Sequence, residues 1–194
     1  MFAYCLNAPT VYIDERGCFP GIVDELFTMR EKQDNAPGLG ESVFLSMNEA
    51  AIAAGYVANI KTHETDLEHQ CGIYEINVFG ATLYYHGKIM SGYHSMSDQS
   101  DIYAESALEK GRLVALLHTH PYCNGHIGET FSMRTSNGAL TGDALVVRED
   151  GYPSYLVTPS GNLLLLPVFF GENIPEPILI ASGLPVDTTI ISCY

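Results

Sequence analysis

Hydrophobic and polar positions alternate, cluster and break along this chain in a way that predicts most of its elements. Residues 114–117 form an apolar run with strand character, and in a strand the side chains at i and i+2 leave the same face. His118 and His120 therefore project together. Pro121 has no N–H to give to a ladder and suits a strand end, so the pair sits where the strand exits into a loop over 122–140. Upstream, Ser46-Met47-Asn48-Glu49 is a capping-box pattern opening an Ala-rich helix that runs to about residue 60. Its alanines allow close approach to a sheet. Residues 71–78 and 81–90, rich in Ile, Val and Tyr with Gly80 between them, predict an antiparallel hairpin. A second helix is expected over 101–110, stopped by Gly111, and the strand bearing the His pair over 113–120. Thr141-Gly142-Asp143 opens a short helix through Val147, and 155–166 is a strand-turn-strand.

The flanks are less regular. Residues 2–17 lack helical period and carry Asn7, Pro9, Asp14 and Gly17 as turn formers, residues 22–29 have the spacing of a short amphipathic helix, and 31–40 is a loop. Beyond Pro167, the spacing of Pro175, Pro177 and Pro185 predicts an extended wrapping segment rather than a further domain. The expected organisation is a lead and linker over 1–40, one domain over 41–166 and a tail over 167–194 packed on it. No internal repeat is visible.

Composition narrows the function. With 194 residues and 46% hydrophobic content the chain is long enough for one ordinary core. Nine Lys+Arg against 23 Asp+Glu give a net charge of −14, which repels a phosphate backbone, so nucleic acid is not an expected partner. No apolar run approaches the roughly 18 residues needed to span a bilayer, and the amino terminus lacks the basic-then-apolar layout of a signal peptide. Cys5, Cys18, Cys71, Cys123 and Cys193 are scattered without CxxC spacing and are expected mostly as free thiols.

Candidate chemistry centres on the His pair. Neutral imidazoles are good zinc ligands, and a catalytic zinc needs a third protein ligand and one position left for water. A His-x-His-Pro string arises by chance about 0.013 times in a chain of this composition, so context must decide its meaning. One alternative closes the site: His118, His120, Cys123 and His126 offer four N/S ligands within nine residues, enough for a structural zinc without a water position. Asp143 is equally readable as a helix cap, Glu68 as a solvated strand-edge charge with Glu75 the next candidate base, and Tyr84 and Tyr85 as sheet packing.

Two stretches carry a resemblance. Residues 2–17, with a Tyr-x-Tyr-like start, then Asn7-Ala8-Pro9 and Asp14-Glu15-Arg16-Gly17, resemble the signature that closes the core of Rhs/YD-repeat proteins, where a variable carboxy-terminal toxin begins; that family usually has Pro where Glu15 stands. The element order with His118-Thr119-His120-Pro121 leaving a strand resembles the JAB/MPN (JAMM) metallopeptidases, particularly those at the ends of Rhs-type proteins. The similarity covers about residues 47–166, including Asn48-Glu49-Ala50-Ala51, Glu68-His69-Gln70-Cys71-Gly72-Ile73-Tyr74 and Tyr155-Leu156-Val157-Thr158-Pro159-Ser160-Gly161.

The resemblance implies an α/β, JAB/MPN-like (cytidine-deaminase-like) fold, with a mixed, mostly antiparallel curved sheet flanked by helices. It implies zinc held by His118, His120 and Asp143, with Glu68 as general base. The family serine that steadies the oxyanion usually lies three positions before the Asp; Leu140 stands there, and Thr141 and Ser132 are the substitutes. His120 and Asp143 are 23 residues apart, which implies an inserted loop containing Tyr122, Cys123, His126 and Ser132. The implied activity is amide hydrolysis by a zinc-dependent peptidase or isopeptidase. It would be the effector domain of an Rhs-type polymorphic toxin acting on a protein or peptide substrate, blocked by an immunity protein, and delivered by a specialised bacterial secretion route or as part of a larger Rhs protein. The alternative is a protein-binding module that keeps the fold without turnover.

Overall fold

The structure, a computed structural model, describes residues 43–93, 99–122, 128–134 and 138–185. The Rhs-like lead, the expected helix over 22–29, and the alternative ligands Cys123 and His126 lie outside the described residues.

Helix α1 (Met47–Thr65) starts on the expected capping box: the Glu49 N–H donates to Ser46 Oγ at 3.2 Å, and the Ser46 N–H donates to Glu49 Oε2 at 3.1 Å. It ends at Asp66, left-handed at φ 57°, whose N–H donates to the Thr62 carbonyl. Ala50, Ala51, Ala54 and Ala58 are fully buried against the sheet. The approach is close enough that a Cβ on Gly55 would lie 2.9 Å from Val157 Cγ2.

Strands β1 (His69–Val78) and β2 (Ala81–His86) form the predicted hairpin, turned by Phe79 and Gly80 at φ 51° and 83°, the two positive values of a type I′ turn. The expected second strand does not continue to residue 90. Instead β3 (Met90–Ser91) folds back to pair with the start of β1, His69 opposite Ser91. Helix α2 (Gln99–Ser106) stops before the expected residue 110. There the chain leaves the helix so that Glu109 accepts from the Tyr85 hydroxyl at 3.0 Å and the Gly111 N–H donates to the same oxygen at 2.9 Å.

The remaining elements are β4 (Arg112–Thr119), α3 (Gly142–Asp150), β5 (Ser154–Val157), β6 (Leu163–Leu166) and β7 (Ile178–Ala181). The sheet runs β2-β1-β4-β5-β6-β7, with β3 on β1. Every pairing is antiparallel except β4 with β5, whose parallel crossover contains α3. The result is a mixed α/β fold with a curled, antiparallel-dominated sheet flanked by helices. In the tail, β7 joins the sheet through Leu164 opposite Leu179, and Leu184 enters the core beside α1.

A bulge in β4 decides which residues face which layer. Ile73 pairs with Ala115 but Tyr74 pairs with Leu113, leaving Val114 unmatched. Val114, Ala115 and Leu117 pack on the α1 side, whereas Leu113 and Leu116 join Tyr74, Tyr85 and Ile102 on the opposite face. Alternation then carries His118 and His120 to the α3 side and Thr119 to the α1 side.

Candidate metal centre

The end of β4 and the start of α3 bring three ligating side chains together. His118 is the penultimate residue of β4, and His120 lies one residue past its end, with its N–H donating to the Val157 carbonyl at 3.0 Å. Asp143 stands in the first turn of α3, where the helix dipole favours a negative charge. His118 Nε2 is 3.2 Å from Asp143 Oδ1, and His120 Nε2 is 3.9 Å from Asp143 Oδ2. The ligand atoms of the three residues all lie within 4.8 Å of one another, so the group could hold a metal ion.

The chemistry of the donors agrees with a cation between them. His118 Nε2 is buried and has no hydrogen-bond partner even though Asp143 Oδ1 is close, so the contact is out of line for a hydrogen bond. A buried nitrogen facing a carboxylate without bonding it suits a shared cation. His120 is prepared in the same sense, because its Nδ1–H donates to the Gly128 carbonyl at 3.1 Å and leaves Nε2 as the unprotonated nitrogen. Gly128 comes so near that a Cβ there would lie 2.8 Å from His120 Cβ. Phe131 packs its edge on His118, with ring centroids 6.0 Å apart.

Charge coupling follows the geometry. Burial pushes the His118 imidazole down, but Asp143 and, more weakly, Glu68 outweigh it, so its pKa lies above the ordinary value. His120 is pushed down to about 4 by burial and by the charge of His118. Burial would raise the Asp143 carboxyl, yet the two imidazoles and the Ser132 N–H hold it well below the usual carboxylate range.

Ser132 reaches this site by an unexpected route. Its Oγ accepts from the Asp143 N–H at 3.0 Å, and its own N–H donates to Asp143 Oδ2 at 2.7 Å, the reciprocal pattern of a capping box. Its carbonyl accepts from the Ala144 N–H at 3.1 Å, the bond a regular helix would draw from residue 140. Ser132 thus occupies in space the place that residue 140 would hold in an unbroken chain, and the excursion between them is closed by an Arg134–Leu140 bridge. The Ser132 hydroxyl also donates to Asp143 Oδ2 at 2.8 Å, so its single proton is engaged. Gly142, at φ 48°, permits the approach, since a Cβ there would collide with Ser132 Oγ. Thr141 is the N-cap of α3 by position, but its side chain makes no capping bond.

Glu68 is buried immediately before β1, with its backbone paired to Tyr93 and Gly92 at 3.0 and 2.8 Å. Gln70 stands opposite His118, and Glu68, two residues earlier and so on the same face, is near enough for its charge to act on His118. Glu75 is elsewhere: it faces Arg112 at the other end of β4 and bonds it at 2.9 Å. Tyr85 is fully buried packing, as expected, and Cys71 is a buried free thiol. Gly128, Phe131 and Gly142 give no signal in the sequence, because a supporting carbonyl, a ring edge or a missing Cβ leaves no spacing to read.

Comparison of the chain with known family models, curated proteins and solved structures gives no match. Among the described residues no helix is long and apolar enough to cross a membrane.

Proposed function

We propose that this chain is a zinc-dependent peptidase or isopeptidase of JAB/MPN type, serving as the effector domain of an Rhs-type toxin. The observation that carries the reading is the convergence of His118 Nε2, His120 Nε2 and the Asp143 carboxylate where a strand exits and a helix begins, with Glu68 on the adjoining strand end. Among the described residues three protein ligands converge, the number a catalytic zinc site uses beside a position for water. When bound there, zinc supplies a water with pKa near 7 and polarises the scissile carbonyl.

The chain's own groups do the rest. His120 presents a neutral Nε2, fixed in its tautomer by the Gly128 carbonyl, and His118, raised by Asp143, would give up its proton when the metal binds. Ser132 grips Asp143 Oδ2 through both its N–H and its hydroxyl, which orients the carboxylate. Its proton being so engaged, Ser132 serves as a positioning residue rather than as the oxyanion donor. Glu68 takes the proton of the attacking water and returns it to the departing amine. The substrate is a protein or peptide, and a dedicated immunity protein covers the site in the producing cell.

Metal analysis and turnover test this together. The purified chain is expected to carry close to one zinc, lost in His118→Ala. Glu68→Gln should keep the metal and the melting temperature while lowering peptide hydrolysis, or killing of a sensitive cell, by roughly 10²–10⁴-fold. Zinc binding with no turnover in the parent would leave a protein-binding module, and absence of binding would remove the metallopeptidase reading altogether.

A further inference from the structure

We infer that a hydrogen-bond chain through Ser91, His69, Thr62 and Thr119, buried except at Ser91 and on the opposite face of the sheet from the metal centre, is the device that positions Glu68 against the His118/His120 pair. The inference rests on reading that pair as the core of a hydrolytic metal site. Thr62, His69 and Thr119 are at most 2% exposed.

One assignment of the protons keeps the shorter contacts and leaves the longer approach of the Thr119 hydroxyl to the His69 carbonyl, at 3.4 Å, without a proton of its own. The Thr62 hydroxyl donates to the Ala58 carbonyl at 3.0 Å, so its oxygen accepts from the Thr119 hydroxyl and from His69 Nδ1, which lies 3.2 Å away. His69 Nδ1 also lies 3.1 Å from the Leu67 carbonyl, so both contacts require Nδ1 to carry the proton. Nε2 is then an acceptor, and the Ser91 hydroxyl donates to it at 3.0 Å. The Thr119 oxygen in turn accepts from the His69 backbone N–H at 2.9 Å. The side chains of this network satisfy one another, and such networks select one arrangement of the backbone.

That arrangement is the one the site needs. Thr119 sits between the two His ligands and points away from them, while His69 adjoins Glu68 and points the same way as Thr119. The Thr119–His69 bond therefore ties the strand end that carries Glu68 to the one that carries the ligands. Ser91 adds the segment whose next two residues pair with the Glu68 backbone. Reacting groups must be placed within a few tenths of an ångström for full rate, and a misplacement of about 1 Å costs roughly 10²-fold.

The test uses the full chain loaded with cobalt(II), whose visible absorption reports ligand geometry, alongside steady-state peptide hydrolysis. Thr119→Val should retain one metal per chain and the parent's KM, with a shifted spectrum and kcat lowered roughly 10–100-fold; Thr119→Ser should restore both. A parent-like spectrum and kcat in Thr119→Val overturn the inference. Should that variant fail to fold, Ser91→Ala removes only the exposed end of the chain; a smaller change in the same direction supports the inference, and none overturns it. A parent that binds cobalt without hydrolysing peptides defeats the functional reading, and the spectra alone then decide on the positioning device. A parent that binds no cobalt defeats both.

Discussion

Two carboxylates on the helix α2 and α3 side of the sheet are held in opposite states. Asp143 is buried yet kept well below the usual carboxylate range; Glu109, half-buried beside Tyr85, is pushed up to about 7. Burial raises both, so burial cannot be what separates them. Asp143 faces two imidazoles and two donors from Ser132, which favour its charge. Glu109 receives one hydroxyl from Tyr85, which lowers it, but the charge of Glu105 works with burial to keep the proton on. A carboxylate group that could hold a cation is told from an ordinary half-buried one by the sign of its neighbours.

Removing the Asp143 charge should abolish the contrast between the two carboxylates. Asp143→Asn should weaken zinc capture by at least about 100-fold, measured by competition with a chelating dye, since altering merely the outer partners of a metal ligand costs 10–100-fold. In the metal-free protein Asp143 and His118 act on stability over separate pH ranges. Because the folded Asp143 carboxyl lies below its ordinary 3.8, it contributes stability that is present above that pH and lost as pH falls below it. His118, raised above 6.5, contributes stability present below 6.5 and lost as pH rises through its folded value. His120, pushed down to about 4, acts against it: its contribution is present above 6.5 and lost as pH falls toward 4. Asp143→Asn should therefore remove the acid-side loss below about pH 4 in thermal melts and, by taking away its partner, the His118 contribution below 6.5. Zinc affinity should fall on the acid side as protons compete for the imidazoles.

Gly142→Ala leaves Asp143 in place but takes away its donor. The left-handed backbone at φ 48° alone costs roughly 1–2 kcal/mol for a residue with a Cβ, and displacement of Ser132 adds to it. Zinc affinity should fall about 10-fold or more, with denaturant midpoint and affinity moving together. The smallest effect belongs to the other carboxylate. A folded pKa raised from 4.5 to about 7 means that Glu109 contributes stability below about pH 4.5 that is lost as pH rises through 7. Glu109→Gln should remove this slope and raise the melting temperature at pH 8 by roughly 2 °C, a modest gain because solvent screens a half-exposed group. A lower melting temperature at pH 8 would show that the bond from the Tyr85 hydroxyl to ionised Glu109 outweighs the cost of its burial.

Strand parity is the most legible feature: His118 and His120 on one face, two residues apart, need only the period of a β-strand. The Ser46–Glu49 box and the Phe79-Gly80 hairpin turn likewise act within four residues, where local chemistry dominates. What escapes depends on contacts distant in sequence. Ser132 reads only as a substitute because its cap is split by an excursion, so no contiguous Ser-x-x-Asp spacing survives. Helix α2 ends early because Tyr85, on another strand, engages Glu109 and Gly111. β7 is four residues between prolines and exposed at Ile178 and Leu179, so neither length nor alternation announces a strand; pairing with β6 makes it one.

The unmatched Val114 gives β4 a change of reading frame. Leu113 and His118 are five positions apart, an odd interval that strict alternation would send to opposite faces, yet both lie on the side away from α1. Losing Val114 would leave that agreement intact, because alternation from Leu113 through Ala115 onward already puts His118 where it is. Losing Ala115 would do the same, with Val114 taking its place toward α1. Losing Leu116 would be absorbed too, with Ala115 turning away from α1 in its place, whereas losing Leu117 would either exchange the sides of Ala115 and Leu116 or, with the bulge kept, turn Thr119 toward Asp143 in place of the imidazoles. A gap in this strand thus grows costlier the nearer it falls to the ligands.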